Sequence, residues 1–200
     1  MNRSSLSVAG GLVATLLVVS GPAAQAAVTP KDAPGKADIV KIYPELAGGE
    51  FTTEKTKKIA VPDGTCGSTT QQKATSAVST TGLPAEPGAP IVVAGVAEVK
   101  SSGKAKSYFK AFKAFVKNCA TYTEPTTGAT VTLAPAKAPK LGQESLAVTQ
   151  ETAIAGVTGY STSVLVRDGR RIANIVVADD APLSTSSVKK LAKVAAKKMR

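Results

Sequence analysis

The 200-residue chain contains no histidine and no tryptophan. Without imidazole there is no Ser-His-Asp or Cys-His nucleophile pair, no imidazole acid–base catalysis and no His-liganded metal. Aromatic residues are scarce, four Tyr and four Phe, so the segment that concentrates them must organise a core. Cysteine is reduced to Cys66 and Cys119, a poor metal set when histidine is missing. After one N-terminal apolar stretch, no second run reaches the roughly 20 residues of a bilayer span, so stable membrane insertion is not expected. Phosphate-loop spacing is also missing, because Gly10-Gly11 and Gly48-Gly49 stand alone. No cofactor is predicted.

What is present begins with the N-terminus. Asn2 and Arg3 precede the apolar run Leu12 to Val19, Ser20-Gly21-Pro22 breaks it, and Ala24-Gln25-Ala26 is a small-x-small site. This order predicts a cleavable signal peptide over residues 1–26 and a secreted product, extracellular or held in the cell envelope. Residues 27–36 (AVTPKDAPGK) read as a flexible lead-in. Residues 37–200 are one domain's length and enough to bury a core. In an exported chain an even pair of cysteines predicts a Cys66–Cys119 disulfide. It closes a loop of about fifty residues, worth on the order of 4 kcal/mol by chain entropy.

The chain carries a formal charge of +11. Cleavage removes Arg3 and no acid, leaving 24 Lys and Arg against 14 Asp and Glu. Such an excess favours anionic partners, or else simply gives solubility with weak, unspecific adhesion.

Organisation is clearest in the second half. Ala37 to Leu46 predicts a short helix, and from there to Gly88 the Thr/Ser/Gly/Pro-rich chain has no clear period. Pro90 to Val99 reads as a buried strand. Over Lys104 to Thr121, Tyr108, Phe109, Phe112, Phe115, Val116 and Cys119 form one helical stripe, with Lys106, Lys110, Lys113 and Lys117 on the other side. Strands follow at 129–133, 145–152, 160–167 and 170–178. A second basic helix is capped near Ser184 and carries Val188, Leu191, Ala192, Ala195 and Met199. Strand, helix, strands, helix predicts an α+β fold: an antiparallel sheet with helices packed on one face.

Asp168-Gly169 is a strong hairpin signal. A two-residue loop there sets Arg167 opposite Arg170, a mildly unfavourable pair of like charges. Their face continues through Leu165/Ile172, Ser163/Asn174 and Ser161/Val176. The more apolar face, with Val164, Val166, Ala173 and Ile175, packs on the helices. Ser161, Ser163 and Asn174 leading to Arg167 and Arg170 are either a solvated outer face or an anion or carbohydrate groove; a bound anion, a nearby carboxylate such as Glu144 or Glu151, or water relieves the arginines. Ser-x-x-Lys occurs at Ser101/Lys104, Ser107/Lys110 and Ser187/Lys190, without the Lys-Thr-Gly or Ser-Asp-Asn companions of penicillin-recognising enzymes. Asp179-Asp180 suit a turn better than a carboxylate dyad. No catalytic residue is predicted. Aromatics confined to the buried stripe argue against nucleic-acid binding.

Several motifs together resemble a known family: a cysteine ahead of the sheet, "FKAFKAFVKNCATYT", "LGQES", the hairpin "STSVLVRDGRRIANIVV" and a terminal helix. They are similar to actinobacterial exported proteins related to the extracellular sensor domain of PknH-type serine/threonine kinases. The resemblance covers roughly residues 90–200. It departs in having one disulfide where the family typically has two, and no Trp before the helix cysteine. It implies an α+β domain with a cleft for an unidentified extracellular ligand and no catalysis. The alternatives are an electrostatic wall-polymer adhesion protein or a small exported hydrolase without histidine.

Overall fold

The computed structural model describes residues 28–200; the expected signal peptide, residues 1–26, lies outside them. Eight antiparallel strands form one sheet in the order β1-β2-β3-β8-β7-β6-β5-β4. They are β1 (Glu50–Pro62), β2 (Thr69–Leu83), β3 (Ile91–Glu98), β4 (Thr121–Thr123), β5 (Thr130–Ala136), β6 (Glu144–Ile154), β7 (Val157–Asp168) and β8 (Arg171–Asp179). Helix α1 (Lys36–Val40) precedes them, α2 (Ser102–Asn118) lies between β3 and β4, and α3 (Thr185–Lys198) closes the chain. The fold is α+β, as the element order implies.

The expectation of helices on one face is corrected. Val164, Val166, Ala173, Ile175 and Val177 point to α1 and α3, sharing a core with Ile39, Val188, Leu191, Ala192 and Met199. Leu165 and Ile172, on the opposite face, pack with Tyr108, Phe109, Phe112, Phe115 and Val116 of α2. The molecule is therefore helix–sheet–helix. Volume explains the assignment, because interiors are packed to crystal density. The Val/Ile face receives the slim Leu/Ala/Val stripe of α3. The face with Gly95, Ala97 and small polar residues leaves room for the phenylalanines. What read as a possible outer face is thus roofed in part by α2.

The helix stripe itself matches the periodicity: its six residues from Tyr108 to Cys119 are at most 5% exposed. The helix stops three residues earlier than its pattern suggests, because Thr121-Tyr122-Thr123, rich in β-branched residues, is taken into β4. Residues 28–36 are not a free lead-in. Val28 and Ala33 are fully buried in the α3-side core, and the Val28 N–H donates to Ser76 Oγ at 2.7 Å.

Strands β1 and β2 occupy the region without a clear period. Their upper parts pair with each other and, through β2, with β3. Beyond a bulge between Thr56 and Lys58 they continue as a two-stranded arm, Lys58↔Lys73 to Pro62↔Thr69, past the end of β3. Ile59, Val61 and Ala74 of this arm pack in the α2 core. At its tip Cys66 is bonded to Cys119, as expected from the cysteine count.

The β6–β7 turn stores strain. Ala155 (φ 49) and Gly156 (φ 80) both lie in the left-handed region, the pattern of a type I′ turn. Alanine there costs roughly 1–2 kcal/mol that Asn or Gly largely avoids. Ala155→Asn is expected to raise stability by about 0.5–1 kcal/mol, read as a higher denaturation midpoint at unchanged slope.

Candidate functional site

The hairpin turn falls one residue later than Asp168-Gly169. Asp168 pairs with Arg171, Gly169 and Arg170 form the loop, and Arg167 faces Ile172. Only Gly169 of the two loop residues has positive φ (59°), which suits glycine at the first loop position. This register sets Asp168 opposite Arg171 and removes the Arg167/Arg170 opposition. The shift is two residues along the partner strand, so the faces keep their members.

Carboxylates meet the arginines at this end of the sheet. Arg167, 6% exposed, donates through Nε to Glu144 Oε2 at 3.1 Å and through Nη1 to Gln143 Oε1 at 2.8 Å. The turn that carries Gln143 and Glu144 is held against the hairpin by Gln143 N–H donating to Arg167 O. Gly142 permits this approach, because a Cβ there would sit 2.5 Å from that carbonyl oxygen, at a φ of +57°. Lys113 of α2 completes the group by pairing with Glu144. Arg170, exposed, reaches the buried Glu98 at 2.5 Å. Arg171 bonds Glu98, Asp32 and the Met199 carbonyl, and Lys198 bonds Asp38, which ties the N-terminal segment and α3 to the hairpin.

The Lys113 ammonium, with the Arg167 guanidinium, outweighs burial and holds the Glu144 carboxyl below its ordinary value of 4.5. A depressed carboxyl stabilises the fold fully above its unfolded pKa, and this is lost as pH falls through the folded value. Wild type should therefore lose more stability than Glu144→Gln as pH drops below about 4.5, in denaturation midpoints measured from pH 7 to pH 3. Parallel pH curves would dissociate Glu144 from the effect.

Next to the hairpin end, where the arm leaves the sheet, lies a small, partly open cleft whose enterable space is about 10 Å³, room for one water. It is lined by Ile59 and Ala60 of β1, Gly95 and Ala97 of β3, Tyr108 of α2, and Ile172 and Asn174 of β8. Gly95 pairs with Asn174 across β3 and β8, and contributes backbone where any other residue would place a side chain. Asn174 is 8% exposed, and its Oδ1, itself closed off from solvent, has no hydrogen-bond partner among the described residues. Burial raises the Tyr108 phenol pKa well above its ordinary value, so the ring remains neutral at physiological pH.

Of the five residues read as a candidate surface, the structure brings Asn174 alone to this cleft. Ser163 and Ser161 are buried in β7 on the same face, opposite Val176 and Ala178. Arg167 and Arg170 sit at the turn, engaged by Glu144 and Glu98. The Ser-x-x-Lys matches have structural duties where the bonding is visible. Ser101 caps α2 by accepting from Lys104 N–H, and Ser107 Oγ donates to the Gly103 carbonyl one turn back. Asp180 N–H donates to Asp179 Oδ1 in the turn leaving β8. Tyr108, Gly95 and the arm residues were missed as lining. The one available signal was Gly95, a glycine inside a strand pattern, which marks close approach or an open space.

The architecture is that of an α+β domain with one antiparallel sheet covered by helices on both faces and a cleft beneath one of them. Among solved structures it is similar to the extracellular domain of PknH from Mycobacterium tuberculosis. The TM-score is 0.53 at 12% identity, covering 82% of this chain and 92% of that chain. An uncharacterised protein from Mycobacterium smegmatis (Rv0999 ortholog) aligns with TM-score 0.42 at 9% identity, over 86% of this chain and 78% of that one. The likeness to PknH is one of fold, and it agrees with the resemblance carried by the helix, turn and hairpin motifs. No protein-family model matches the sequence, and no curated protein matches it.

Proposed function

We propose that this chain is an exported, non-catalytic binding or sensor-like domain of the bacterial envelope, and that the cleft between α2, the arm and the sheet is its ligand site. The observation that carries this is the fold shared with an extracellular sensor domain, together with the recess that β1, β3, β8 and α2 enclose. The PknH extracellular domain shares the fold, and the disulfide together with the N-terminal signal pattern fits an extracellular location. The capping roles of Ser101 and Ser107 count against Ser–Lys catalysis.

The test is a thermal-shift screen of the disulfide-bonded protein against a small-molecule extract of actinobacterial envelope. Wild type should be stabilised and Asn174→Ala should not, since a ligand that binds only the native state raises the midpoint by mass action. Equal shifts in both proteins would remove Asn174 from the site.

A second reading, adhesion to acidic wall polymer, is favoured by the lysines. Helices α2 and α3 carry five each and no acid, and of these Lys113 and Lys198 pair with carboxylates. On the arm, Lys58 lies directly opposite Lys73. Retention on the polymer that falls with salt, and is equal in wild type and the Arg167→Ala, Arg170→Ala double variant, would credit these lysines rather than the hairpin.

A further inference from the structure

We infer that export processing and completion of the fold are ordered: the bond between Ala26 and Ala27 is hydrolysed before residues 28–35 seat on the domain, and seating then closes the new N-terminus to further proteolysis. This rests on residues 1–26 being a signal peptide, and not on the ligand reading. In sequence the scissile bond lies two residues before Val28. The Val28 side chain is fully buried with Ala33 in the α3-side core, and its N–H donates to Ser76 Oγ of β2 at 2.7 Å. The chain that follows is fastened at three more points. Asp32 accepts from Arg171 of β8, the Ala33 carbonyl accepts from Lys198 of α3, and Asp38 of α1 pairs with the same lysine.

A peptidase that reads small side chains at the third and first positions before the bond takes its substrate as an extended strand. Main-chain groups on both sides of the bond then pair with the enzyme, and the second residue after the bond is Val28. In the folded domain the Val28 N–H is taken by Ser76 and its side chain is enclosed. The enzyme can therefore engage the chain only while this segment is unseated. Hydrolysis adds water across the Ala26–Ala27 amide, leaving a carboxylate on Ala26 and an amine on Ala27. One residue then precedes the buried valine, and the seat that shuts out the endopeptidase also stops an exopeptidase at Val28. The Pro/Gly-rich lead-in is thus a fastening made after export, not a linker.

The test incubates the folded, disulfide-bonded full chain with purified type I signal peptidase in detergent, beside a peptide of residues 1–35 that has no domain to seat on. Wild type should be cleaved about tenfold or more slowly than its peptide, because proteolysis follows the open fraction when opening and closing are fast. Val28→Asp, whose carboxylate does not enter an apolar core, should be cleaved at the rate of the peptide with the same substitution. Ser76→Ala leaves the substrate sequence intact and should be cleaved about threefold or more faster than wild type, as one lost hydrogen bond allows. Hydrogen exchange should remain slow in β7 and β8 of both variants, so that only the segment is released. Aminopeptidase treatment of the mature, disulfide-bonded domain should remove Ala27 and stop, as read by mass. Wild type cleaved as fast as its peptide, or trimming that runs on through Val28 and Thr29, would overturn the order. No cleavage between Ala26 and Ala27 even in the peptide would overturn the signal-peptide reading and the order with it.

Discussion

Removing the Cys66–Cys119 disulfide should lower stability by about 4 kcal/mol and free the β1–β2 arm while the central sheet stays folded. The bond spans 53 residues, so its reduction restores a large loop entropy to the unfolded chain. Locally the effect is sharper. Beyond the bulge at Thr56/Lys58 the arm pairs only with itself, and Ile59, Val61 and Ala74 are its hold on α2. A two-stranded ribbon is marginal alone, so with its tip released the arm should open in preference to the rest. Hydrogen exchange in the Cys66→Ser, Cys119→Ser variant should accelerate across residues 57–75 and remain slow in β7 and β8. Thiol labelling of the folded, unreduced protein should find no reactive cysteine. An unchanged midpoint and unchanged exchange would mean that the latch contributes nothing. Ile59 and Ala60 are a wall of the cleft, so arm opening in this variant should also enlarge the site.

Phe112→Ala and Phe115→Ala should each cost about 3–5 kcal/mol, the range for truncating a buried phenylalanine. The two rings are 1% and 3% exposed and lie at the centre of the α2 core. That core gathers the arm, β5, β6, β7 and β8 under one helix, through Val61, Leu133, Val148, Leu165 and Ile172. Collapse around the missing ring is limited because these neighbours belong to a hydrogen-bonded sheet and to a helix tied at its end by Cys119. Chemical denaturation gives the size, and a midpoint unmoved by either substitution would place the helix elsewhere.

The two helices and the β3, β6, β7 and β8 strands are legible because each repeats an apolar residue at its own period over many residues. Tyr108 to Cys119 keeps the 3.6-residue rhythm, and residues 160–178 hold near-continuous β-branched runs about a turn. Strands β1 and β2 are not legible in the same way. Strand β1 is an edge strand, exposed along most of its first eight residues, where Lys, Glu and Thr suffice and no alternation is imposed. The hairpin register shows a finer limit. Asp-Gly is a good signal for a turn, yet placing the loop one residue later pairs Asp168 with Arg171, a cross-strand energy that local propensity does not contain.

Residue order alone settles the cysteine pairing, the aromatic helix stripe, the terminal helix and the α+β class, because each depends on short-range period or on composition. Which face of the sheet receives each helix is a tertiary outcome. Both helices are amphipathic and basic, and only the match of phenylalanine bulk to a Gly/Ala/Ser face separates them. The fate of the arginines is tertiary as well, since Glu98 and Glu144 reach them from other strands. So is the cleft. Its residues lie at 59, 60, 95, 97, 108, 172 and 174, and no local pattern links them. They meet because a bulged arm, a helix and two central strands converge where Gly95 leaves a gap beside Asn174.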